Sequence, residues 1–142
     1  MGLFMLRLRI MSNSNKKIIV PGGVDEYILE YPKDIQNKLT LIRTAIRELA
    51  PDAIETISYF GIPGYCYEGY DYNGMFAWFS YKAPYVRLHV RPPVAENHTK
   101  ELEGCKITTG IISFPETFEL TSMLIKKLVM ASLDEMRSST SK

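Results

Sequence analysis

Three basic side chains alternate along one short segment, YVRLHVRPP (85–93), as Arg87, His89 and Arg91. Successive side chains of an extended strand point to opposite faces, so residues two apart project together. Guanidinium groups bind carboxylates and phosphates through paired hydrogen bonds, and an imidazole can donate or accept one more. The segment therefore predicts a basic surface that binds a small anion.

Aromatic residues of neighbouring segments extend this predicted surface, because their rings can stack on a planar ligand. The predicted ligand-binding residues are Tyr59, Tyr65, Trp78, Lys82, Tyr85, Arg87, His89 and Arg91. The alternative is structural: the basic groups pair with acidic residues on adjacent strands. Stacking also serves single-stranded nucleic acid, but the net charge of only +1 argues against that partner.

Two groups of acidic residues suggest a different chemistry, since iron accepts carboxylate ligands. Glu26 and Glu30 stand one helical turn apart on one face. An exposed ridge of carboxylates predicts a weak iron site, whereas the alternative is a solvated face that stabilises a helix N-terminus. The predicted metal-binding residues are Asp25, Glu26, Glu30 and Asp34 in the first helical region and Glu48, Asp52 and Glu55 at the following corner.

Recognisable catalytic signatures are missing from the sequence. It contains no GxSxG, HExxH, phosphate-binding loop or dinucleotide-binding pattern. Cys66 and Cys105 form no CxxC pair, and with His89 and His98 they lack the spacing of a zinc site. We therefore expect a non-enzymatic binding or carrier protein with reduced thiols, located in the cytoplasm.

The elements that position these residues follow from periodicity. Between Pro32 and Pro51, apolar residues recur in steps of four and three, which predicts a helix; a second stripe follows near the C-terminus. Four segments between the helices are rich in β-branched and aromatic residues, and their short connections favour antiparallel pairing. The fold class is therefore α+β: an antiparallel sheet of about four to six strands with two long helices packed on one face. The helical stripes are Ile35, Leu39, Ile42, Ile46 and Leu49, then Leu120, Leu124, Leu128 and Ala131; the strand segments are ETISYFGIPGY, YNGMFAWFSYKA, YVRLHVRPP and KITTGIISFP.

The length of 142 residues predicts a single domain, placed at 21–136. Residues 1–20 are expected to be an extension or the product of an upstream start codon, and 137–142 a frayed tail. The apolar start MGLFMLRLRI is interrupted by Arg7 and Arg9 and is shorter than the ~20 residues that span a bilayer, so no membrane partner is expected.

The succession VDEYILEYP, APDAIETISYFGIPGY, FSYKAPYVRLHV and CKITTGIISFP, followed by a closing helix, resembles the YdhG-like domain family over roughly residues 24–135. The resemblance implies a helix–sheet sandwich like that of frataxin. One member of the family is described as a frataxin-like intracellular iron chaperone, which supplies iron for iron–sulfur cluster and haem assembly. The resemblance therefore implies weakly bound iron as the cargo and iron–sulfur assembly proteins as partners.

Overall fold

The computed structural model describes residues 23–58, 60–67 and 74–140. Within these ranges the chain forms three α-helices, six strands and a short 3₁₀ turn, which confirms the predicted α+β class. The helices are α1 (Gly23–Leu29), α2 (Lys33–Leu49) and α3 (Ser122–Thr140). The strands are β1 (Ile54–Thr56), β2 (Gly64–Cys66), β3 (Met75–Lys82), β4 (Tyr85–Val90), β5 (Lys106–Thr108) and β6 (Ile111–Phe114), with the 3₁₀ turn at Glu96–His98.

The strands form one sheet in the order β1-β2-β3-β4-β6-β5, and all neighbours are antiparallel, as predicted. Two of the four predicted strand segments each contain two strands, because the chain reverses inside them. Between β1 and β2, Phe60 and Gly61 both have positive φ, +68° and +70°. Between β5 and β6 the reversal uses Gly110, with φ +75°.

The core lies between the helices and one face of the sheet. Helices α2 and α3 contact each other, and both contact β3 and β4, so they share one side of the sheet. The predicted α2 stripe is confirmed, with Leu49 half-buried and the other four residues buried. Val86, Leu88 and Val90 of β4 are buried in the same core.

The predicted stripe on α3 is only partly right. Leu128 is buried, but Leu124 and Ala131 are half-buried and Leu120 precedes the helix. Consecutive steps of four residues rotate by about 40° each around a helix, so such a stripe drifts off the core-facing side. The buried residues instead occupy positions i, i+3, i+4, i+7, i+8 and i+11, which stay on one side of the helix: Ile125, Leu128, Val129, Ser132, Leu133 and Met136.

The C-terminal end of the predicted domain differs from the structure. The predicted tail begins at 137, but α3 continues to Thr140. The guanidinium of Arg137 lies 5.7 Å from the centre of the Tyr67 ring, which ties this last turn to the residue after β2. The predicted extension, 1–20, lies outside the described residues. Among the described residues, no helix has the length and apolar character needed to cross a membrane.

The remaining face of the central strands is directed away from α2 and α3. Cross-strand partners share a face, and Trp78 pairs with His89, Ser80 with Arg87, and Lys82 with Tyr85. These side chains alternate with the core-facing residues of β3 and β4. We call the surface formed by these six residues the outer face.

Candidate ligand-binding site

A cavity of about 330 Å³ opens where the outer face meets the connections between β1 and β2, between β4 and β5, and between β5 and β6. This volume lies at the small end of the ~300–1,000 Å³ typical of small-molecule sites. No acidic residue is among its described lining. We call it the outer cavity; its lining residues are Phe60, Trp78, His89, Val90, Arg91, Pro92, Thr109, Gly110 and Ile111.

The sheet register brings three of these residues into one row. His89 on β4 lies between its cross-strand partners Trp78 on β3 and Ile111 on β6. Gly64 on β2 continues the row beyond Trp78. The row therefore places an indole ring, an imidazole ring and an aliphatic side chain side by side on one surface.

The turn between β5 and β6 completes one wall of the cavity. The carbonyl oxygen of Gly110 accepts a 2.7 Å hydrogen bond from the backbone N–H of Val90. A Cβ atom at position 110 would lie 2.7 Å from the Val90 carbonyl oxygen, and the φ of +75° also favours glycine. A glycine here lets the turn approach the end of β4 and brings Thr109 and Ile111 to the cavity.

The opposite wall is aromatic. The Phe60 and Trp78 ring centres are 5.8 Å apart, with their planes tilted by 56°. Gly64 makes room for the indole, because a Cβ at position 64 would come within 2.6 Å of Trp78 Cδ1 and of Met75 Cε. Phe60 is 71% exposed despite its size, and its positive φ is unusual for an aromatic residue. A large apolar ring is therefore left open to solvent at the cavity rim.

His89 is a neutral group at pH 7. Burial, reinforced by the charge of Arg87, lowers the pKa of His89 from 6.5 to about 4. Its Nε2 lies 3.0 Å from the Ser80 hydroxyl oxygen. The segment 85–91 thus carries two cations, Arg87 on β4 and Arg91 just after it, with the hydrogen-bonding imidazole of His89 between them.

Arg91 is anchored on two sides. Its Nε donates a 2.9 Å hydrogen bond to the carbonyl oxygen of Met75 on β3. Its backbone N–H donates to the Ser132 hydroxyl of α3, which in turn donates to the carbonyl oxygen of Phe76. The guanidinium charge consequently has a defined place at the cavity wall.

Of the eight predicted ligand-binding residues, Trp78, His89 and Arg91 line the cavity. Arg87 lies on the same face but is not among the lining residues; its cross-strand partners are Ser80 and Ser113. The Nε of Arg87 is buried and has no hydrogen-bond partner among the described residues. Cross-strand pairing with Glu or Asp, the alternative reading, therefore does not occur for Arg87, whose partners are both serines.

The other predicted residues lie elsewhere. Lys82 and Tyr85 form the last pair of β3 and β4, and Lys106 lies 5.0 Å over the Tyr85 ring. Tyr65 is a correction: it is only 1% exposed, and its partner Ala77 is on the core side. The Tyr65 hydroxyl donates a 2.5 Å hydrogen bond to Glu55. Tyr59 lies outside the described residues.

The predicted metal-binding residue Glu55 is fully engaged by other side chains. Arg43 donates from Nε to Oε2 at 2.9 Å and from Nη2 to Oε1 at 2.8 Å. Burial opposes ionisation of Glu55, but the hydrogen bonds from Arg43 and Tyr65 outweigh it and hold the pKa of this carboxyl below its ordinary value. Arg43 also binds Asp25, so a guanidinium stands between these two carboxylates.

Two further acidic residues of the predicted iron ridge have partners. Glu48 binds Lys126 at 2.8 Å, and Asp52 accepts a 3.1 Å hydrogen bond from the Tyr67 hydroxyl.

A second concavity of about 310 Å³ runs along α2, lined by Thr40, Arg43, Thr44, Arg47 and Glu48. Two guanidinium groups beside one carboxylate make this concavity unfavourable for a metal cation.

The remaining acidic residues of the ridge, Glu26, Glu30 and Asp34, are exposed and form no salt bridge within the described part of the chain. In the same part of the chain, no group of three or more His, Cys, Asp or Glu residues is arranged to hold a metal ion. Neither Cys66 nor Cys105 forms a disulfide bond, and burial raises the pKa of Cys105 to about 11. Iron binding by the exposed carboxylates stays a prediction.

Six lining residues were not predicted from the sequence: Phe60, Val90, Pro92, Thr109, Gly110 and Ile111. Gly110 was visible as a turn residue inside KITTGIISFP. The pairing of β6 with β4, which brings that turn to the cavity, joins residues far apart in the chain and leaves no local signal.

Comparison with solved structures shows the fold. The chain is similar to a protein of the DUF1801 family (YdhG) from Bacillus subtilis, with a TM-score of 0.67 and 14% identity over 82% of this chain and 93% of that one. It also matches an uncharacterised conserved protein from Lactobacillus casei, with a TM-score of 0.48 and 15% identity over 80% of this chain and 92% of that one. No protein-family model and no curated protein matches the sequence. The predicted YdhG-like domain is thus supported at the level of the fold.

Proposed function

We propose that this protein binds or carries a small molecule, and that the outer cavity holds a small organic anion. The observation that carries the proposal is the anchored guanidinium of Arg91 at a cavity whose described lining has no acidic residue. A guanidinium held at the wall of a partly enclosed site attracts an anion more strongly than one in open water does. Carboxylate and phosphate groups fit the fork of N–H donors that a guanidinium presents.

The lining favours binding over catalysis. Among the described lining residues, His89 is the group that could exchange a proton, but it is held neutral with Nε2 at hydrogen-bond distance from the Ser80 hydroxyl oxygen. Such a group orients a ligand through a hydrogen bond and does not need to titrate. Cysteines without a disulfide bond, as at positions 66 and 105, suit a reducing compartment, and we therefore propose a cytoplasmic location.

The test is a thermal-shift and calorimetric screen with benzoate, phenyl phosphate, adenosine monophosphate and inorganic phosphate. A ligand at a hundred times its Kd adds about 2.7 kcal/mol to the free energy of unfolding, which raises Tm by several degrees. We expect at least one organic anion to do so, and the shift to vanish in Arg91→Met.

The matched control is Lys33→Met, which removes an exposed positive charge from the first turn of α2, on the other side of the sheet. It should leave the ligand-induced shift intact. If no anion stabilises the protein, or if Arg91→Met responds as the wild type does, the proposal fails.

Iron carriage is the second candidate function, in keeping with the resemblance to a frataxin-like iron chaperone and with iron–sulfur assembly proteins as partners. The observation in its favour is that Glu26, Glu30 and Asp34 are exposed and form no salt bridge among the described residues. Solvated carboxylates would hold ferrous iron loosely enough to release it.

Anaerobic ferrous-iron titration tests this second candidate. We expect weak binding that is lost when Glu26→Gln and Glu30→Gln are combined. The matched control combines Glu96→Gln with Glu103→Gln, which removes the same charge from an exposed segment elsewhere. Absence of heat and of any spectral change in the wild type would eliminate iron carriage by this ridge.

A further inference from the structure

We propose that the same side of the sheet carries a second anion site, which binds the phosphate group of a small phosphate monoester near the start of β4. We call this site the basic patch; it consists of Lys82, Tyr85, Arg87, Lys106 and Ser113. None of these five residues is among the described lining of the outer cavity. The inference therefore goes beyond the proposed function and does not depend on it.

The sheet register gathers the side chains of the basic patch. Arg87 on β4 is the cross-strand partner of Ser113 on β6, and Ser113 is the partner of Lys106 on β5. Neighbouring strands lie about 4.8 Å apart, so these three residues span only about 10 Å. Tyr85 lies two residues before Arg87, projects on the same side, and pairs with Lys82 of β3. Three cationic side chains, one hydroxyl group and one phenol ring therefore share this end of the surface.

The guanidinium of Arg87 is the centre of the patch. Its Nε is buried without a hydrogen-bond partner, and within the described part of the chain Arg87 forms no salt bridge. Its charge also acts on the neighbouring imidazole: burial is the main cause of the low pKa of His89, and the charge of Arg87 lowers it further. A half-buried cation without a counter-ion costs free energy, which a bound anion would offset.

The two lysines of the patch also form no salt bridge with any described residue. Lys106 Nζ lies 5.0 Å from the centre of the Tyr85 ring, so this side chain reaches from β5 across β6 to β4. Lysine on an edge strand can serve only to prevent pairing with another sheet. Lys106 instead extends over the sheet, towards the strand that carries Arg87. Cations gathered in this way repel one another, and an anion between them removes that repulsion.

Acidic side chains are missing from this side of the described strands. By their register, β5 and β6 add Lys106, Thr108, Ile111 and Ser113 to the side formed by the outer face. None of these four residues is acidic, and neither is any of the six residues of the outer face. The strands thus supply no carboxylate to the basic patch, which leaves the counter-charge to a ligand.

The number of charges favours a phosphate monoester over a carboxylate. A phosphate monoester carries a charge of about −1.5 to −2 at neutral pH and has three acceptor oxygens, whereas a carboxylate or a phosphate diester carries one charge. The donors of the patch suit these oxygens: Arg87 presents a fork of N–H groups, Ser113 a hydroxyl group, and each lysine an ammonium group. The phosphate group is therefore the part of the ligand that the patch recognises.

An NMR titration of the ¹⁵N-labelled protein with methyl phosphate, dimethyl phosphate and acetate tests this ligand class. Ionic strength is kept constant, because salt screens exposed charges. We expect methyl phosphate to cause saturable shifts of the amides of Val86, Arg87 and Ser113, with a Kd in the millimolar range that suits so small a ligand. Dimethyl phosphate and acetate, with one charge each, should bind at least tenfold more weakly.

Charge variants locate the site. Arg87→Gln should weaken methyl phosphate at least tenfold, and Lys82→Gln combined with Lys106→Gln should weaken it about tenfold. The matched control combines Lys33→Gln with Lys100→Gln, which removes the same charge from two exposed positions elsewhere and should leave the Kd unchanged. Arg87→Lys keeps the charge but not the fork of donors, so it should recover only part of the affinity.

Stability without ligand distinguishes a binding role of Arg87 from a structural one. In phosphate-free buffer, Arg87→Gln should unfold at a urea concentration no lower than that of the wild type, because it removes a half-buried charge that has no partner. A clearly lower midpoint would show that Arg87 stabilises the fold, contrary to this inference. The double lysine variant changes only exposed residues and keeps the binding test valid if Arg87→Gln does not fold.

The remaining outcomes separate the basic patch from the outer cavity. The inference is wrong if methyl phosphate causes no saturable shifts, if dimethyl phosphate or acetate binds as tightly, or if the charge variants of the patch bind as the wild type does. Binding that is lost in Arg91→Met but kept in Arg87→Gln would assign the phosphate to the outer cavity, which overturns this site and supports the proposed function. Binding that needs Arg87 would support the basic patch even if the anion screen of the outer cavity fails.

Discussion

The imidazole of His89 and the hydroxyl of Ser80 lie 3.0 Å apart, on neighbouring strands and on the face of the sheet opposite α2 and α3. Burial, together with the charge of Arg87, keeps this ring neutral at physiological pH. The segment 85–91, whose sequence suggests three cations, therefore carries two, and the neutral imidazole of His89 lies between them. Because the ring is neutral, it can lie partly buried in the lining of the outer cavity without a carboxylate partner.

The low pKa of His89 makes stability depend on pH. Between about pH 4 and 6.5 the unfolded chain binds a proton at His89 that the native state does not, so the free energy of unfolding falls as the pH falls through this range. The loss is on the order of 2 kcal/mol for a ring that keeps some contact with solvent. Urea denaturation of the wild type and of His89→Asn measures it.

Plots of the free energy of unfolding against pH should differ in slope between the two proteins only in that range, because their acidic groups are the same and the pKa of Glu55 is held below its ordinary value in both. Parallel stability curves for the wild type and His89→Asn would show that the native state protonates His89 normally.

The Arg43–Glu55 pair should contribute far more to the free energy of unfolding than the other ion pairs of this region. Both side chains are largely buried, 16% and 17% exposed, and they share two hydrogen bonds. Arg43→Met leaves the Glu55 carboxylate without its main partner, which should cost about 3 kcal/mol in chemical denaturation.

Arg47 provides the matched control, since its side chain is 60% exposed and its contact with Glu55 is 3.9 Å long. Arg47→Met should cost less than about 0.5 kcal/mol. Equal losses for the two variants would mean that the buried geometry of Arg43 contributes nothing specific.

A side chain at Gly64 should displace the indole of Trp78. The Cβ of Gly64→Ala would lie 2.6 Å from Trp78 Cδ1, so the ring must move, at a cost of roughly 1–3 kcal/mol. Trp78 is the only tryptophan, and its fluorescence maximum should therefore shift. In Gly104→Ala, where φ is +93° and nothing lies within 4 Å, strain should lower stability without changing the fluorescence. An unchanged emission spectrum in Gly64→Ala would place the indole elsewhere.

The α2 stripe should behave as core. Leu39 is fully buried, so Leu39→Ala should cost about 2–5 kcal/mol because it removes packing and leaves a cavity. Leu29→Ala makes the same chemical change at a site that is 67% exposed and should cost far less. Denaturation midpoints for the two variants check this, and similar values would contradict the burial of α2.

The sequence is informative where a period runs over many residues. The α2 stripe and the alternation of β4 each repeat often enough to identify a buried face. Tyr65 lies in a strand of three residues, which is too short for a period to show which face it occupies. Its position depends on pairing with Ala77, a contact that the sequence does not display.

The same limit applies to the candidate site. Arg91 and His89 were identifiable because they alternate along one segment of the sequence, YVRLHVRPP, but Thr109 and Ile111 reach the cavity only through the pairing of β6 with β4. The engagement of Glu55 by Arg43 likewise depends on how β1 sits against α2. Some of the carboxylates that the sequence suggests for iron binding, such as Glu55 and Glu48, therefore form salt bridges in the folded protein.

The most direct test of anion binding at the outer cavity is a benzoate titration of the ¹⁵N-labelled protein followed by NMR. We expect saturable shifts of the single indole N–H signal, from Trp78, and of the backbone amides of Thr109, Gly110 and Ile111, with none at Ala45 and Ile46 in α2. The shifts should disappear in Arg91→Met and persist in Lys33→Met. Shifts confined to α1 and the start of α2, or none at saturating benzoate, would contradict binding at this cavity.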